Sequence, residues 1–424
     1  MRTIYTAVFY LLLPFVLLRL LWRSIKAPEY RRRLGERLGC YSNTVSDSVV
    51  WFHAVSVGEA EALFSLVKRI QQLYPSQPLL ITTMTPTGSA RVVAALGDTV
   101  EHVYLPYDIP FAIQRFFAHF KPRLAVIMET ELWPNLFAAC AESNVPLYVV
   151  NARLSEKSAV RYQKIPWIIG PTLQIITRIL TQSAQDAERF KAIGALESQI
   201  ENTGNIKFDM EIAQGLWEEG RQIRSTVLGS RFVWIIASTH KPEEDLFLSL
   251  YRQLKPDCPE LLLVLVPRHP ERFSEVHKLI ELHDLKSVTR TSGSVCTSST
   301  DVYLVDRMGE LKSFYAASDL AFVGGSMAPV GGHNILEPAA LGVPVMFGPF
   351  MANFREIEQK VLEAGAAIQC QDAQAIVDNF MKLKNDEPLR RQLIDEGLSF
   401  VGRNQGALEK IVQHLSDSIA RQSH

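Results

Sequence analysis

The chain has 424 residues, of which 47% are hydrophobic and 21% charged. That balance excludes a disordered or low-complexity protein and leaves room for about two or three folded domains. With 44 Lys and Arg against 45 Asp and Glu, the formal net charge is -1, so nucleic acid is not an expected partner. The cysteines Cys40, Cys140, Cys258, Cys296 and Cys370 are scattered; they fit neither a zinc motif nor a disulfide framework.

Ile4 to Leu18 reads IYTAVFYLLLPFVLL, without a charge, and Leu20, Leu21 and Trp22 follow Arg19. At 1.5 Å per residue such a helix approaches the length of a bilayer core. No small-residue cleavage site follows, as a secretory signal would require. A basic collar follows instead, with Arg19, Arg23, Lys26, Arg31, Arg32, Arg33 and Arg37 against Glu29 and Glu36. Residues 1–37 are therefore expected to form a membrane-associated segment on the cytoplasmic side, attracted to anionic lipids. A helix docked in an acceptor groove and an ordinary core helix are the alternatives.

From residue 49 onward, short apolar runs alternate with helical patterns. Strands are predicted at 49–53, 79–84, 103–105, 124–128, 146–150, 175–181 and 199–203. Helices are predicted at 59–73, 88–96, 111–120, 135–142 and 159–165. A polar helix over 211–228 separates this series from a second one. Its strands are predicted at 232–237, 261–266, 302–305, 320–323 and 344–346. Helices are predicted at 243–253, 272–283, 310–316, 335–341, 354–363, 373–383 and 388–397, with a last amphipathic one over 405–420. The expected fold class is α/β, as two doubly wound Rossmann-like domains facing a central cleft. Their expected limits are 38–210 for the first domain, 211–230 for a linker helix, 231–404 for the second domain and 405–424 for a C-terminal helix.

The familiar GxGxxG, P-loop, GxSxG and HExxH signatures are absent. What carries chemistry is a set of turns that follow predicted strands. Gly324-Gly325-Ser326 and Gly331-Gly332-His333-Asn334 precede a helix whose first turn holds Glu337. Paired glycines admit a close ligand, and a helix start offers N–H groups to a phosphate. A glycine-rich turn with a capping acid is the plainer alternative. Pro267-Arg268-His269-Pro270 ends another strand and offers a guanidinium fork for phosphate or carboxylate. Ser238-Thr239-His240 is placed in the same way. In the first half, the corresponding turns are His53 to Glu59, Thr82 to Ser89, Met128 to Asn135 with Glu129 and Glu131, and Asn151 to Arg153. Glu131 is read as a cleft residue, with helix capping as its alternative. Glu36 lies among arginines in GERLG, where a salt bridge is its simplest reading.

Taken together, these segments resemble the Kdo (3-deoxy-D-manno-octulosonic acid) transferases. The resemblance rests on KAPEYRRRLGERLG, WFHAVSVGE, TTMTPTGSARV, YLPYD, METELWPN, NARLSEKS, TGNIKFD, STHKPEE, LVPRHPERF, MGEL, FVGGS and GGHNILEPA. It implies the two-domain GT-B fold, with 38–210 as the acceptor-binding and 231–404 as the nucleotide-sugar-binding domain, and an inverting transfer of Kdo from CMP-Kdo to lipid IVA, without a bound metal or other cofactor, at the cytoplasmic face of the inner membrane. It makes Glu36 the general base. Arg268 is the first candidate, and Lys207 the second, for neutralising charge on the departing phosphate. Glu131 would orient sugar hydroxyls. Glu337 would hold the ribose, while His269, Gly325, Ser326, Gly332, His333 and Asn334 would line the nucleotide pocket. The rivals are another sugar-nucleotide enzyme, such as a heptosyltransferase or epimerase, and a catalytically silent membrane platform.

Overall fold

The computed structural model describes residues 1–42, 48–210 and 212–421. Glu211, where the linker was expected to begin, and residues 422–424 of the expected C-terminal segment lie outside the described residues. The chain forms two compact units. The first comprises Met1–Asp209 and the segment from Asn404 onward, and the second is Met210–Arg403.

The first unit is built on β1 (Val50–His53), β2 (Leu79–Thr83), β3 (Glu101–Tyr104), β4 (Leu124–Met128), β5 (Leu147–Ala152), β6 (Arg178–Thr181) and β7 (Ile200–Asn202). Their order across the sheet is β3-β2-β1-β4-β5-β6-β7, and each neighbouring pair is parallel. Val50 and Phe52 enter one hydrophobic cluster, and Val49 and Trp51 enter the cluster on the opposite face. This is the alternation of a strand covered on both sides, which explains why the run reads as continuously apolar.

The second unit contains β8 (Phe232–Thr239), β9 (Leu261–Pro267), β10 (Ser287–Thr289), β11 (Val302–Leu304), β12 (Leu320–Val323), β13 (Val345–Phe347) and β14 (Ile368–Gln369). Their order is β10-β11-β9-β8-β12-β13-β14, again with parallel pairs throughout. In both sheets the winding direction reverses beside the first strand, between β1 and β4 and between β8 and β12. In doubly wound sheets, ligands bind outside the carboxyl ends of the strands at this reversal.

The C-terminal helix Ala407–Arg421 returns to the first unit. Its Leu408, Ile411, Val412, Leu415 and Ile419 complete one core cluster there, at the spacing of a helical stripe.

Several expectations need correction. The helix predicted over 159–165 is Glu156–Tyr162, started by the Ser155 cap, and a second helix, Pro166–Gln174, follows it unpredicted. Pro166 occupies the first turn, where a missing N–H costs nothing. β6 consequently starts at Arg178 rather than at 175. The edge strands β10 and β14 were missed because they are short and lack an apolar run. The linker helix predicted over 211–228 is Leu216–Ile223 followed by one π turn, Arg224–Leu228.

The N-terminal helix spans Arg2–Lys26. Its Phe9, Leu13, Val16 and Leu17 pack on Tyr107, Ile109 and Ala112, and Thr6 Oγ1 donates to Asn135 Oδ1 at 2.9 Å. Ile4, Val8, Leu11, Phe15, Leu18, Trp22 and Ile25 are 50–71% exposed. Their alternating steps of four and three form one uninterrupted apolar stripe along the helix.

Candidate functional site

In the first unit, the turns at the β1–β4 reversal bring three carboxylates near one another. Glu59 opens the helix Val57–Leu73 in a capping arrangement. The Ser56 hydroxyl accepts the Glu59 N–H at 3.3 Å and donates to Glu59 Oε1 at 2.7 Å, and the Val55 N–H donates to Oε2 at 2.8 Å. Burial pushes the Glu59 carboxyl up, and the charge of Glu129 adds to the effect. Glu129, directly after β4, adopts φ 56°. Glu131 is pushed up to about 7 by burial first, then by Glu59 and Glu129. At neutral pH it is therefore partly protonated. His53, at the end of β1, is wholly buried and held down at about 4 by that burial. Its Nδ1 lies 2.8 Å from Thr82 Oγ1, whereas Nε2 is buried without a partner among the described residues.

Glu36 is elsewhere. It sits in a 3₁₀ turn, Leu34–Leu38, entered through Arg33 in the left-handed region. Its Oε1 accepts from Arg33 Nε at 2.6 Å and its Oε2 from the Tyr104 N–H at 2.7 Å. Arg37 is buried, donates to the Met84 carbonyl at 2.9 Å and stacks over the Tyr104 ring. Because Glu36 is bonded to the Tyr104 N–H of β3 and Glu131 follows β4, three strand spacings separate their anchors, or about 14 Å. The two acids do not form a carboxylate pair. Lys207 lies in the turn Ile206–Phe208. That turn is tied to β5, where the buried Asn151 accepts the Ile206 N–H at 3.0 Å.

The β8–β12 reversal in the second unit holds a group of nitrogen-rich side chains. His240 Nε2 and His333 Nε2 are 2.9 Å apart, their rings stacked at 5.1 Å. His269 meets the His240 ring edge-on at 5.1 Å. Burial lowers both His240 and His333, with His269 contributing to the first and His240 to the second, and His333 is brought to about 3. The positive charge of Arg268 contributes in the same direction to both, and its backbone N–H donates to the Thr239 carbonyl at 3.1 Å. Gly325 has φ 65°, and a Cβ there would lie 2.8 Å from the His333 ring. The Gly332 N–H donates to the Gly325 carbonyl at 2.7 Å, which joins the two glycine turns.

Two of the expected pocket residues behave differently from their sequence reading. Ser326 is fully buried, donates to the Val323 carbonyl and accepts the Gly348 N–H at 2.8 Å, so its hydroxyl is used internally. The helix expected over 335–341 is only Leu336–Ala340. Asn334 Oδ1 takes its Leu336 N–H at 3.1 Å, an N–H that a phosphate was expected to use. Glu337 lies in that short helix and its charge reaches Tyr315.

Two residues escaped the sequence reading. Asp108 is buried and accepts the Asn135 and Leu136 N–H groups at 3.1 and 2.8 Å, capping the helix Pro134–Glu142. Glu243 is buried and collects four backbone N–H groups around the β8–β12 reversal. The YLPYD and STHKPEE segments contained both residues, but only the fold reveals their long-range partners.

Two parallel doubly wound units, each with polar groups gathered at its reversal, define the GT-B fold. The family model described as 3-deoxy-D-manno-octulosonic-acid transferase (kdotransferase) matches residues 32–210, and that of the group 1 glycosyl transferases matches residues 240–399. The 3-deoxy-D-manno-octulosonic acid transferase of Haemophilus influenzae is 38% identical over 99% of both chains. The solved C-terminal CMP-Kdo binding domain of WaaA from Acinetobacter baumannii is 37% identical, covering 45% of this chain and 99% of its own, with TM-score 0.43. The UDP-GlcNAc 2-epimerase of Neisseria meningitidis is 14% identical with TM-score 0.55, covering 88% of this chain and all of its own; this likeness is one of fold alone. The chain belongs to the 3-deoxy-D-manno-octulosonic acid (Kdo) transferase family.

Proposed function

We propose that this chain transfers Kdo from CMP-Kdo to lipid IVA in lipopolysaccharide biosynthesis, in one inverting displacement that releases CMP. The observation that carries the reading is the 38% identity to a Kdo transferase over 99% of both chains. In the proposed step, Glu36 accepts the proton of an acceptor hydroxyl as the hydroxyl oxygen bonds to the anomeric carbon of Kdo. The bond from that carbon to the CMP phosphate oxygen breaks, and its electron pair leaves with CMP. A carboxylate has about four lone-pair sites, so the two hydrogen bonds that Glu36 makes among the described residues leave acceptor capacity for this proton.

Arg268, with Lys207 as the second candidate, is proposed to counter the charge that develops on the phosphate. Glu131 is proposed to orient sugar hydroxyls, and its partly protonated state lets it donate as well as accept. Glu337 is proposed for the ribose. His269, Gly325, Gly332, His333 and Asn334 are proposed for the nucleotide pocket, with Ser326 contributing through its backbone. Transfer is proposed to need no metal, so chelation with EDTA should leave its rate unchanged.

We further propose that the protein works at the cytoplasmic face of the inner membrane, with its N-terminal helix lying in the membrane surface. One face of that helix is docked on its own unit and the opposite face is the continuous exposed stripe, the two-sided pattern of an interfacial helix. The neighbouring arginines suit anionic headgroups.

A mass-resolved assay with purified protein, CMP-Kdo and lipid IVA tests the reading, run beside folded Glu36→Ala. Kdo-sized mass gains in the wild type and almost none in the variant support both activity and base, and the number of gains counts the sugars added. Equal product from both moves the base elsewhere. No product from either, despite CMP binding, reopens the rival transferases.

A further inference from the structure

Glu243 opens the helix Glu243–Leu254 and is 1% exposed. Its Oε2 accepts the N–H of His240 at 2.9 Å and that of Gly325 at 2.7 Å. Its Oε1 accepts the N–H of Ser326 at 3.1 Å and that of Met327 at 2.9 Å. Among the described residues it makes no ion pair. These donors come from two turns far apart in sequence, one after β8 and one after β12, which flank the sheet reversal. One carboxylate thus ties together both walls of the place where a doubly wound sheet binds its ligand.

Two consequences follow from this geometry. The amides of Gly325, Ser326 and Met327 form an anion-binding concavity of the kind that often cradles a phosphate, but Glu243 already fills it from within. The anionic groups of a donor are therefore left to side chains, namely His240, His269, His333 and Arg268. In addition, the His240 backbone is held by Glu243, its Nε2 meets His333 Nε2 at 2.9 Å, and the His333 ring sits against Gly325. The position of the imidazole pair thus depends on the same carboxylate at both ends.

We propose that Glu243 is the positioning residue of the donor site: without touching the donor, it holds His240 and the Gly325–Met327 turn in the arrangement that binds the donor's phosphate and carboxylate. This inference rests on the reading of the second unit as the CMP-Kdo site. A helix-capping role alone would give Glu243 its bond to His240 but would not involve the three amides after β12.

The test uses the full-length protein, with CMP affinity measured by calorimetry and KM determined separately for CMP-Kdo and lipid IVA. In Glu243→Gln, the amide nitrogen faces N–H groups that need an acceptor. CMP affinity and donor KM should worsen by at least about tenfold while acceptor KM stays within about twofold. Formate should restore CMP affinity to Glu243→Ala by filling the vacated position. A folded Glu243→Gln protein with wild-type donor KM overturns the inference, as does an equal worsening for both substrates accompanied by a lowered Tm. If neither neutral variant folds, Glu243→Asp decides: donor KM raised alone supports the proposal, and both KM values unchanged overturns it. A wild-type protein that neither binds CMP nor uses CMP-Kdo overturns the reading of the reaction instead, so the two failures are distinguishable.

Discussion

Glu36 Oε2 accepts the backbone N–H of Tyr104 at 2.7 Å, which joins the GERLG turn to β3, the edge strand of the first sheet. The proposed base thereby satisfies a donor that a paired neighbour would otherwise have taken. Arg33, on its other oxygen, reaches past it to the His102 carbonyl at 2.6 Å, so the turn is held at both ends of one strand segment.

Glu36→Gln preserves the size of the side chain and removes its basicity. Its kcat should fall by about 10²–10⁴-fold, the usual worth of a positioned base, while donor KM changes little. Steady-state kinetics on the folded variant checks this. A kcat within a few-fold of wild type would leave Glu36 as an edge-strand anchor alone.

Glu131 makes a prediction about pH. Its carboxyl titrates near 4.3 in an unfolded chain and is pushed up to about 7 in the fold. Between these values the folded state binds the extra proton, so stability falls as pH rises through that window. Glu131→Gln, which stays neutral, should raise the urea midpoint at pH 8 and change it far less at pH 4. The same midpoint gain at both pH values would show that packing, and not charge, is responsible.

Gly325 is expected to tolerate no side chain. A Cβ at φ 65° would lie 2.8 Å from the His333 ring, and the left-handed backbone itself costs a non-glycine residue about 1–2 kcal/mol. Gly325→Ala should displace His333 from His240 and weaken CMP binding by more than tenfold, by the loss of roughly 1.4 kcal/mol or more. Calorimetric titration with CMP measures it; unchanged affinity would remove these imidazoles from the donor site.

The N-terminal stripe gives a prediction about membranes. Leu11 and Phe15 are 71% and 66% exposed, so Leu11→Glu with Phe15→Glu should leave thermal stability unchanged. Sedimentation with vesicles rich in anionic lipid should fall sharply, and residual wild-type binding should weaken with added salt. If the doubly substituted protein still sediments as wild type does, the stripe is not the contact surface.

Much of the fold was legible because it rests on local rules. The apolar runs around Trp51, Val126 and Val264 could only be strands buried on two faces. Ser56 caps the helix predicted after it, through a hydrogen bond that spans three residues of sequence, whereas the helix Ala184–Ala192, capped by Ser183 in the same way, was not predicted. Where the local signal was weak, the reading failed. β10 and β14 are too short and polar at their edges to show a period. Pro166–Gln174 hides a helix behind two prolines.

The site divides in the same way. The sequence alone determined which residue types stand at the strand ends, because such turns carry their chemistry in contiguous glycines, histidines and acids. It also determined the family, through long motifs in order along the whole chain. Only the tertiary structure decided which of those residues meet. It kept Glu36 three strands away from Glu131, turned Ser326 inward, paired His240 with His333 and gave Glu243 its four donors. Each of these outcomes depends on strand order and on which backbone N–H groups the sheet leaves unpaired, and neither is encoded within reach of a single segment.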